Sequence, residues 1–310
     1  MWRPCRILTL RILTACALVP APGALAFDLQ GHRGARGMAP ENTLPAFAAA
    51  LAVGVSTLEL DVGVTRDGVV VIHHDRRLNP DVARGPDGQW VAVPGPLLRS
   101  LTYETLRRYD VGRLRPGSEY AARHPDQKPA DGARIPRLAD LFALVKKSGN
   151  DTVRFNIETK LSSAAPGETL APQPFARALV AQVRAAGMVG RTTVQSFDWR
   201  TLQVVEKEAP DIATAYLTGR RHGGASQPRA VHAAGGRLWS PSYEALDSAE
   251  MIEARALGLR VIPWTVNEPA FIERYLDLGV DGIISDYPER VRASLARRGL
   301  PLPPATPVEP

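Results

Sequence analysis

The chain has 310 residues, of which 45% are hydrophobic and 23% are charged, a composition typical of a folded globular protein. The formal net charge is +6, but residues 1–26 contain three arginines and no acidic residue, and the rest carries 35 basic and 32 acidic side chains. That near balance, without a basic stripe interleaved with aromatic residues, argues against a nucleic-acid-binding protein.

The amino terminus predicts an export signal over residues 1–26. A basic start leads into the apolar run 12–19, and the segment ends in Ala24-Leu25-Ala26, a small-x-small pattern that signal peptidase cleaves. The apolar run is too short to span a bilayer stably. One alternative is a lipobox at Leu13-Thr14-Ala15-Cys16, although Arg11 interrupts the apolar run before it. A buried first helix is the other alternative.

Both cysteines, Cys5 and Cys16, lie in this leading segment. Cleavage after Ala26 would therefore leave a mature chain without a thiol, which excludes a cysteine nucleophile and a thiolate metal site. We expect a periplasmic or secreted protein, or, in the alternative, one that is lipid-anchored through Cys16.

Short apolar runs rich in β-forming residues alternate with helix-like stretches, which is typical of parallel α/β structure. Eight strands are predicted, at residues 27–31, 57–62, 153–159, 192–196, 214–217, 237–240, 261–265 and 282–285. Eight is the number of strands in a TIM (β/α)8 barrel, so we predict the α/β class and one barrel domain over 27–300.

Helices are predicted between these strands. The first covers residues 43–53, with Asn42 as a possible amino-terminal cap. The others cover residues 139–147, 174–186, 199–208, 248–257 and 269–278.

Two features interrupt the repeat. Asp67-Gly68 predicts a hairpin after the second strand, with its second arm outside the parallel set. Residues 79–136 are then rich in Pro, Gly and Arg, and we expect a functional inserted segment or small lid. The Pro-rich tail 301–310 is predicted to be disordered.

Two carboxylates lie two residues apart in the second predicted strand. Glu59 and Asp61 share one face of that strand, and Leu58 and Leu60 share the other. Two inward acids near a strand end repel unless a positive charge lies between them, and a hard divalent cation suits that position. The alternative is a solvent-facing edge strand.

The predicted strand 153–159 repeats this arrangement. Asn156, Glu158 and Lys160 share one face. Glu158 could supply a third carboxylate to the same cation, and Lys160 could hold a phosphate oxygen. Amphipathic strands with Glu and Lys are also common without a site.

Two of the six histidines follow predicted strands directly. His32 follows the first strand, and His74 follows the second arm of the hairpin. Barrel strands deliver functional side chains at their carboxyl ends, and two imidazoles beside a phosphate suit proton transfer at neutral pH. A lone histidine in such a turn is more often structural. The loop histidines His124, His222 and His232 are interpreted as solvated.

Several short motifs carry a family resemblance. In chain order they are Gly31-His32-Arg33-Gly34, Pro40-Glu41-Asn42-Thr43, Glu59-Leu60-Asp61-Val62, Thr65-Arg66-Asp67-Gly68, His74-Asp75, Asn156-Ile157-Glu158-Thr159-Lys160, Trp264-Thr265-Val266-Asn267 and Gly279-Val280-Asp281-Gly282-Ile283-Ile284-Ser285-Asp286-Tyr287-Pro288. Their order resembles the glycerophosphodiester phosphodiesterase family over about residues 28–295. Residues 120–136 resemble its longer exported bacterial branch.

The resemblance implies a TIM barrel with a small insertion and one divalent ion, Ca²⁺ or Mg²⁺. It implies metal ligands at Glu59, Asp61 and Glu158, general acid and base at His32 and His74, and phosphate contacts at Arg33 and Lys160. Thr159 and Ser285 depart from the usual family residues without touching these roles. Phe197 and Trp264 either line the substrate pocket or pack in the core.

The implied reaction is metal-dependent hydrolysis of a glycerophosphodiester to glycerol 3-phosphate and an alcohol, with water or the glycerol hydroxyl as nucleophile. The expected partner is this small substrate, with no nucleic acid and no stable membrane span; the oligomeric state stays open. One rival is a barrel phospholipase acting on intact lipid, which needs an exposed apolar ridge. The insertion offers Trp90, Val91, Val93, Leu97 and Leu98 for it, although we expect these residues to pack the insertion onto the barrel. The other is an inactive phosphodiester-binding protein.

Overall fold

A computed structural model describes residues 26–220 and 225–310 of the chain. Its centre is a barrel of eight parallel strands with helices outside, which confirms the predicted TIM-barrel fold. The strands are β1 (Asp28–Gly31), β2 (Thr57–Val64), β3 (Val70–Ile72), β4 (Arg154–Thr159), β5 (Thr192–Ser196), β6 (Ala213–Thr218), β7 (Leu238–Pro241), β8 (Arg260–Val261) and β9 (Gly282–Ser285). Only β3 is antiparallel, paired with β2 in the predicted hairpin.

The strand order is β8-β7-β6-β5-β4-β2-β1-β9. The ring closes between β9 and the chain that follows β8, where the Asp281 amide donates to the Val261 carbonyl at 2.8 Å and the Ile284 amide to the Pro263 carbonyl at 3.0 Å. Strand β8 is shorter than the predicted 261–265 because Pro263 has no amide hydrogen to donate to a ladder.

Ten helices lie in the described part of the chain. They are α1 (Leu44–Val53), α2 (Tyr103–Leu106), α3 (Glu119–Ala122), α4 (Leu138–Lys147), α5 (Pro172–Ala186), α6 (Trp199–Glu208), α7 (Gln227–Ala233), α8 (Ser248–Ala256), α9 (Pro269–Leu278) and α10 (Pro288–Arg297). The sequence analysis did not predict α2, α3, α7 and α10. Helix α10 buries few apolar side chains, Val291 and Leu295 among them, so its apolar stripe is narrow.

The amino-terminal cap of α1 is Thr43, whose hydroxyl accepts from the Ala46 amide. The prediction that Asn42 caps this helix is wrong. Asn42 has a positive φ of 56°, and its side chain reaches Asp61 inside the barrel. Asparagine tolerates this left-handed backbone better than most residues. The side chain of Asn42 therefore binds inside the barrel and does not cap the helix.

Strand β2 is buried along its whole length, so the edge-strand alternative is wrong. Its outward residues Leu58 and Leu60 belong to the apolar core between barrel and helices, together with Phe155 of β4. Its inward residues Glu59 and Asp61 therefore project into the barrel, where water is largely excluded.

The inserted segment, residues 79–136, lies between β3 and α4 and includes α2 and α3. It packs around its own apolar cluster, to which Val82, Leu106 and Ile135 belong. The segment lacks long helices and strands, so its folded structure is stabilised mainly by these buried apolar side chains.

The residues considered for a lipid-facing ridge mostly do not face solvent. Val91 and Leu98 are buried, and Val93 is the exception at 82% exposure. The loop histidine His124 is also buried, at 7% exposure, beside Tyr120. Its interpretation as solvated is wrong, whereas His232 is exposed on α7.

The carboxyl-terminal segment 301–310 is ordered against the barrel, so the prediction of disorder is wrong. The Thr306 amide donates to the Leu51 carbonyl at 2.9 Å, and Asn150 donates to the Thr306 hydroxyl at 3.0 Å. Val308 packs on the apolar core. Proline limits the freedom of the unbound tail, so these few contacts suffice to order it.

No helix within residues 26–220 and 225–310 is both long and apolar enough to cross a membrane. The predicted signal segment lies outside the described residues up to position 25, as does Cys16 with its lipobox alternative. His222 also lies outside them.

Deleting residues 301–310 is expected to lower the free energy of unfolding by about 2–4 kcal/mol, because several hydrogen bonds and the Val308 contact are lost. Thermal denaturation should show a Tm lower by roughly 5–10 °C. Leu302→Ala, at a side chain exposed in the same tail, serves as the control and should change Tm little. An unchanged Tm after truncation would show that the tail contacts contribute nothing.

Candidate active site

Three carboxylates converge inside the carboxyl end of the barrel. Glu59 and Asp61 come from β2 and Glu158 from β4, and the strand register places Asp61 beside Glu158. They are 2%, 1% and 7% exposed, and one oxygen from each lies within 4.8 Å of the others. The sequence analysis predicted these three residues as a cluster, and the structure brings them together.

Two positively charged side chains, Lys160 and Arg33, lie against this cluster. Lys160 Nζ is 2.8 Å from a Glu158 oxygen and 3.7 Å from an Asp61 oxygen, and Arg33 Nε is 3.3 Å from the other Asp61 oxygen. Burial, and then the charge of Asp61, raise the pKa of Glu59 well above its usual value. Burial also raises the pKa of Glu158 to about 7. Three buried acids against two cations, with only oxygen donors, fit a hard divalent ion.

Neutral donors fix the orientation of two of these carboxylates. The Gln195 side-chain amide on β5 donates to one Glu59 oxygen at 2.7 Å, and the Arg33 backbone amide donates to the other at 2.8 Å. The Asn42 side chain donates to Asp61 at 2.9 Å. Since carboxylate oxygens have more than one lone pair, each oxygen can still bind a cation.

His32 is held by a buried acid on its far side. Its Nδ1 is 2.6 Å from Asp286, and Nε2 is 3.9 Å from Glu59. Although burial opposes ionisation, Arg36 and His32 hold the pKa of Asp286 well below its usual value. An ionised Asp286 accepts the Nδ1 hydrogen, which leaves Nε2 as an acceptor. Burial, followed by the charge of Arg36, lowers the pKa of His32 to about 4, so this imidazole is neutral at pH 7.

His74 is oriented in the same manner. Its Nδ1 is 2.7 Å from Asp75, which also accepts from Asn79 at 2.7 Å. Its Nε2 is 3.0 Å from Lys160 Nζ, and an ammonium group can only donate. Burial, followed by the charge of Arg33, lowers the pKa of His74. Both histidines therefore present Nε2 as the acceptor nitrogen.

The predicted aromatic residues lie at one wall of the site. Phe197 and Trp264 meet edge to face, with ring centroids 5.4 Å apart, and both line a cavity of about 160 Å³. The same cavity is bordered by His32, His74 and Lys160. Because Phe197 is 45% exposed, simple core packing does not describe it.

Sequence reasoning gave no role to four side chains that hold the site. Glu41 and Asp286 lie inside the quoted motifs, and the inward position of Gln195 follows from the alternation of β5. Tyr120 carries no such signal. It lies in an irregular insertion, and only the tertiary structure brings it to Glu41 and Arg33.

The chain was compared with known proteins. The model of a family described as the glycerophosphoryl diester phosphodiesterase family matches residues 32–290. A glycerophosphodiester phosphodiesterase of Caldanaerobacter subterraneus subsp. tengcongensis is 29% identical over 86% of this chain and 97% of its own length.

Solved structures agree in fold. One from Silicibacter pomeroyi, assigned to the same family, is 38% identical, with a TM-score of 0.82 over 90% of this chain and 96% of that one. A phosphodiesterase from Oleispira antarctica, determined in complex with the product sn-glycerol-3-phosphate, is 21% identical. Its TM-score is 0.66, over 86% of this chain and 96% of that one.

Calcium or magnesium ions are expected to stabilise the fold by relieving the repulsion among Glu59, Asp61 and Glu158. At an ion concentration of 100 times Kd, the free energy of unfolding should rise by about 2.7 kcal/mol. Thermal denaturation after EDTA treatment, with each ion restored in turn, measures it. Glu158→Gln should abolish the shift, and Glu104→Gln, at an exposed surface ion pair, should keep it. Equal Tm values with and without both ions would contradict a cation site here.

Proposed function

Because the chain belongs to the glycerophosphoryl diester phosphodiesterase family, we propose that it hydrolyses glycerophosphodiesters in a metal-dependent reaction with His32 and His74 as the proton-transfer groups. The observation that carries the proposal is the arrangement around one cavity. Three carboxylates, three cationic side chains and two neutral imidazoles meet there. This set can bind a phosphodiester anion and move protons on either side of it.

Glu59, Asp61 and Glu158 would hold one divalent cation. An all-oxygen set favours Ca²⁺ or Mg²⁺ over ions that prefer nitrogen and sulfur. Bound there, the ion supplies positive charge for the phosphate oxygens. Arg33 and Lys160, which border the same cavity, add to that charge. Their contribution grows as negative charge develops on the non-bridging oxygens during attack.

His32 is proposed as the general base. The hydrogen bond from Nδ1 to Asp286 keeps the lone pair of Nε2 directed at the site. The imidazole is neutral at pH 7 and can take the proton of the attacking hydroxyl. Asp286 stabilises the imidazolium that results, since the two groups are 2.6 Å apart.

His74 is proposed as the general acid. Burial, and then the charges of Arg33 and Lys160, lower its pKa. A bound phosphodiester anion offsets both charges and so favours the protonated ring. When the bond from phosphorus to the leaving oxygen breaks, the proton on Nε2 passes to that oxygen. One water is consumed, either as the attacking nucleophile or in opening a cyclic phosphate formed by the glycerol hydroxyl. The products are then a phosphate monoester, glycerol 3-phosphate, and the free alcohol. The proton taken by His32 returns to solvent and His74 regains one.

The proposed substrate is a deacylated, water-soluble diester. The cavity is small, and an adjoining groove of about 410 Å³ shares His74 and Lys160 with it. Beyond them the groove is lined by Arg76, Arg77 and Glu168, which are ion-paired at 2.8–2.9 Å. Such a polar groove suits a small alcohol and not two fatty acyl chains. The product bound by the Oleispira antarctica phosphodiesterase, sn-glycerol-3-phosphate, is the phosphate monoester that this reaction would release.

We further propose that the protein is exported, on the basis of the predicted signal in residues 1–26. Amino-terminal sequencing of the protein from its native host tests this directly. A mature chain that begins at Phe27 is expected. A chain that begins at a lipid-modified Cys16 would support the anchored alternative, and an intact leader would contradict export.

His32→Ala and His74→Ala are each expected to lower kcat by about 10²–10⁴-fold on glycerophosphocholine, because each removes one proton-transfer group. Release of glycerol 3-phosphate is measured with Ca²⁺ or Mg²⁺ present. His232→Ala, at an exposed histidine on α7, is the matched control and should retain full activity. A folded His32→Ala or His74→Ala protein with more than a tenth of wild-type activity would refute its assigned role. Intact phosphatidylcholine should not be cleaved.

A further inference from the structure

The insertion contacts the loop that follows β1, which carries His32 and Arg33. Besides Tyr120, two residues join the segments: the Gln127 side chain donates to the Arg36 carbonyl at 2.8 Å, and the Lys128 amide donates to the Met38 carbonyl at 3.0 Å. These two bonds reach only backbone atoms of the loop. They fix its path and leave its side chains free to turn.

Tyr120 differs because its hydroxyl contacts side chains only. It donates to a carboxylate oxygen of Glu41 in a short hydrogen bond. It also accepts from Arg33 Nη1 at 3.3 Å and from Arg36 Nη1 at 3.1 Å. One phenol oxygen therefore joins two guanidinium groups and a carboxylate. A phenol can serve as donor and acceptor in this way, and a phenyl ring cannot.

Both arginines lead back to the active site. Arg33 and Arg36 border the cavity between the histidines. Arg33 Nη1 also donates to Glu41 at 2.8 Å. Arg36 donates to both oxygens of Asp286, from Nε at 2.8 Å and from Nη2 at 2.9 Å. The Tyr120 hydroxyl thus lies between the arginine of the carboxylate cluster and the arginine behind the His32–Asp286 pair.

The charges around the hydroxyl explain why it is needed. Arg36 Nη1 is 4.0 Å from Glu41, farther than a hydrogen bond, and the phenol oxygen fills the gap. Burial, and then the charge of Glu41, raise the pKa of Tyr120 well above its usual value, so the phenol keeps its proton. Without the phenol, Glu41 keeps the bond from Arg33 to Oε1 but loses the donor to Oε2, and Arg36 can move toward that oxygen and away from Asp286.

We infer that Tyr120 of the insertion is a positioning residue for phosphate binding, which holds the guanidinium groups of Arg33 and Arg36 at the cavity through its hydroxyl. This inference rests on the proposed function. The insertion is therefore part of the active site, although it contributes no side chain to the proton transfers. A chain without Tyr120 would keep its catalytic histidines and bind the phosphodiester poorly.

Tyr120→Phe tests the inference, because it removes only the hydroxyl. KM for glycerophosphocholine and Kd for inorganic phosphate are both expected to rise by about 10–100-fold, the effect of losing a hydrogen bond to charged groups. The value of kcat should fall less than KM rises, since the histidines stay in place. Calorimetry gives Kd, and circular dichroism shows that the variant is folded.

Two control variants separate positioning from a general loss of structure. Tyr109→Phe removes the hydroxyl of a tyrosine that packs on the apolar cluster of the insertion, and KM and Kd should not change. Gln127→Leu breaks a bond between the same segments that reaches only the loop backbone. It should lower Tm without raising Kd for phosphate. An equal rise of Kd in Gln127→Leu, or an unchanged Kd in folded Tyr120→Phe, would overturn the inference.

The phosphate measurement keeps this test distinct from that of the proposed function. A wild-type chain that binds phosphate but cleaves no glycerophosphodiester would contradict the function, while the change of Kd in Tyr120→Phe would still decide the role of Tyr120. If that variant did not fold, a crystal structure of the wild-type chain with inorganic phosphate decides. Both arginines should contact the anion while bonded to the hydroxyl; arginines released from it would overturn the inference.

Discussion

The repulsion among three carboxylates inside the barrel is the constraint on which the rest of the site depends. Glu59, Asp61 and Glu158 lie on adjacent strands and are nearly inaccessible to water. Buried like charges at this separation are costly unless cations compensate for them. Arg33 and Lys160 supply part of that compensation, and a divalent ion is proposed to supply the rest. The cavity that results is suited to an anion because positive charge is concentrated there.

Two arginines at the cavity, Arg33 and Arg36, are in turn held by partners farther from it. Arg33 is paired with Glu41, and Glu41 is bonded to Tyr120 of the insertion. Behind His32, Asp286 is gripped by Arg36, which also reaches Tyr120. Long flexible side chains are thereby fixed before substrate arrives, so binding does not have to order them. One phenol oxygen of the insertion thus contacts side chains that lead to both the carboxylate cluster and His32.

Strand periodicity predicted much of this arrangement from sequence. Alternation alone placed Glu59 and Asp61 on one face, and the end of the first strand placed His32 near them. The family resemblance supplied the other roles. The failures have physical causes. Asn42 was predicted as the cap because the helix was predicted to begin at residue 43, whereas it begins at Leu44 and Thr43 is the cap. The tail was predicted to be disordered from its proline content, but it is ordered by tertiary contacts with Leu51 and Asn150, which the local sequence does not show. Tyr120 could not be found because it lies on α3, a helix of four residues that is too short to show a periodic pattern.

One divalent cation is proposed to bind among Glu59, Asp61 and Glu158. A crystal of the protein soaked with Mn²⁺, an ion that oxygen ligands also bind, tests this proposal through anomalous scattering. We expect one strong anomalous peak within about 2.0–2.6 Å of an oxygen from each carboxylate, with Lys160 displaced from Glu158. A fully soaked crystal with no peak there, or with its strongest peak elsewhere, would contradict the proposal.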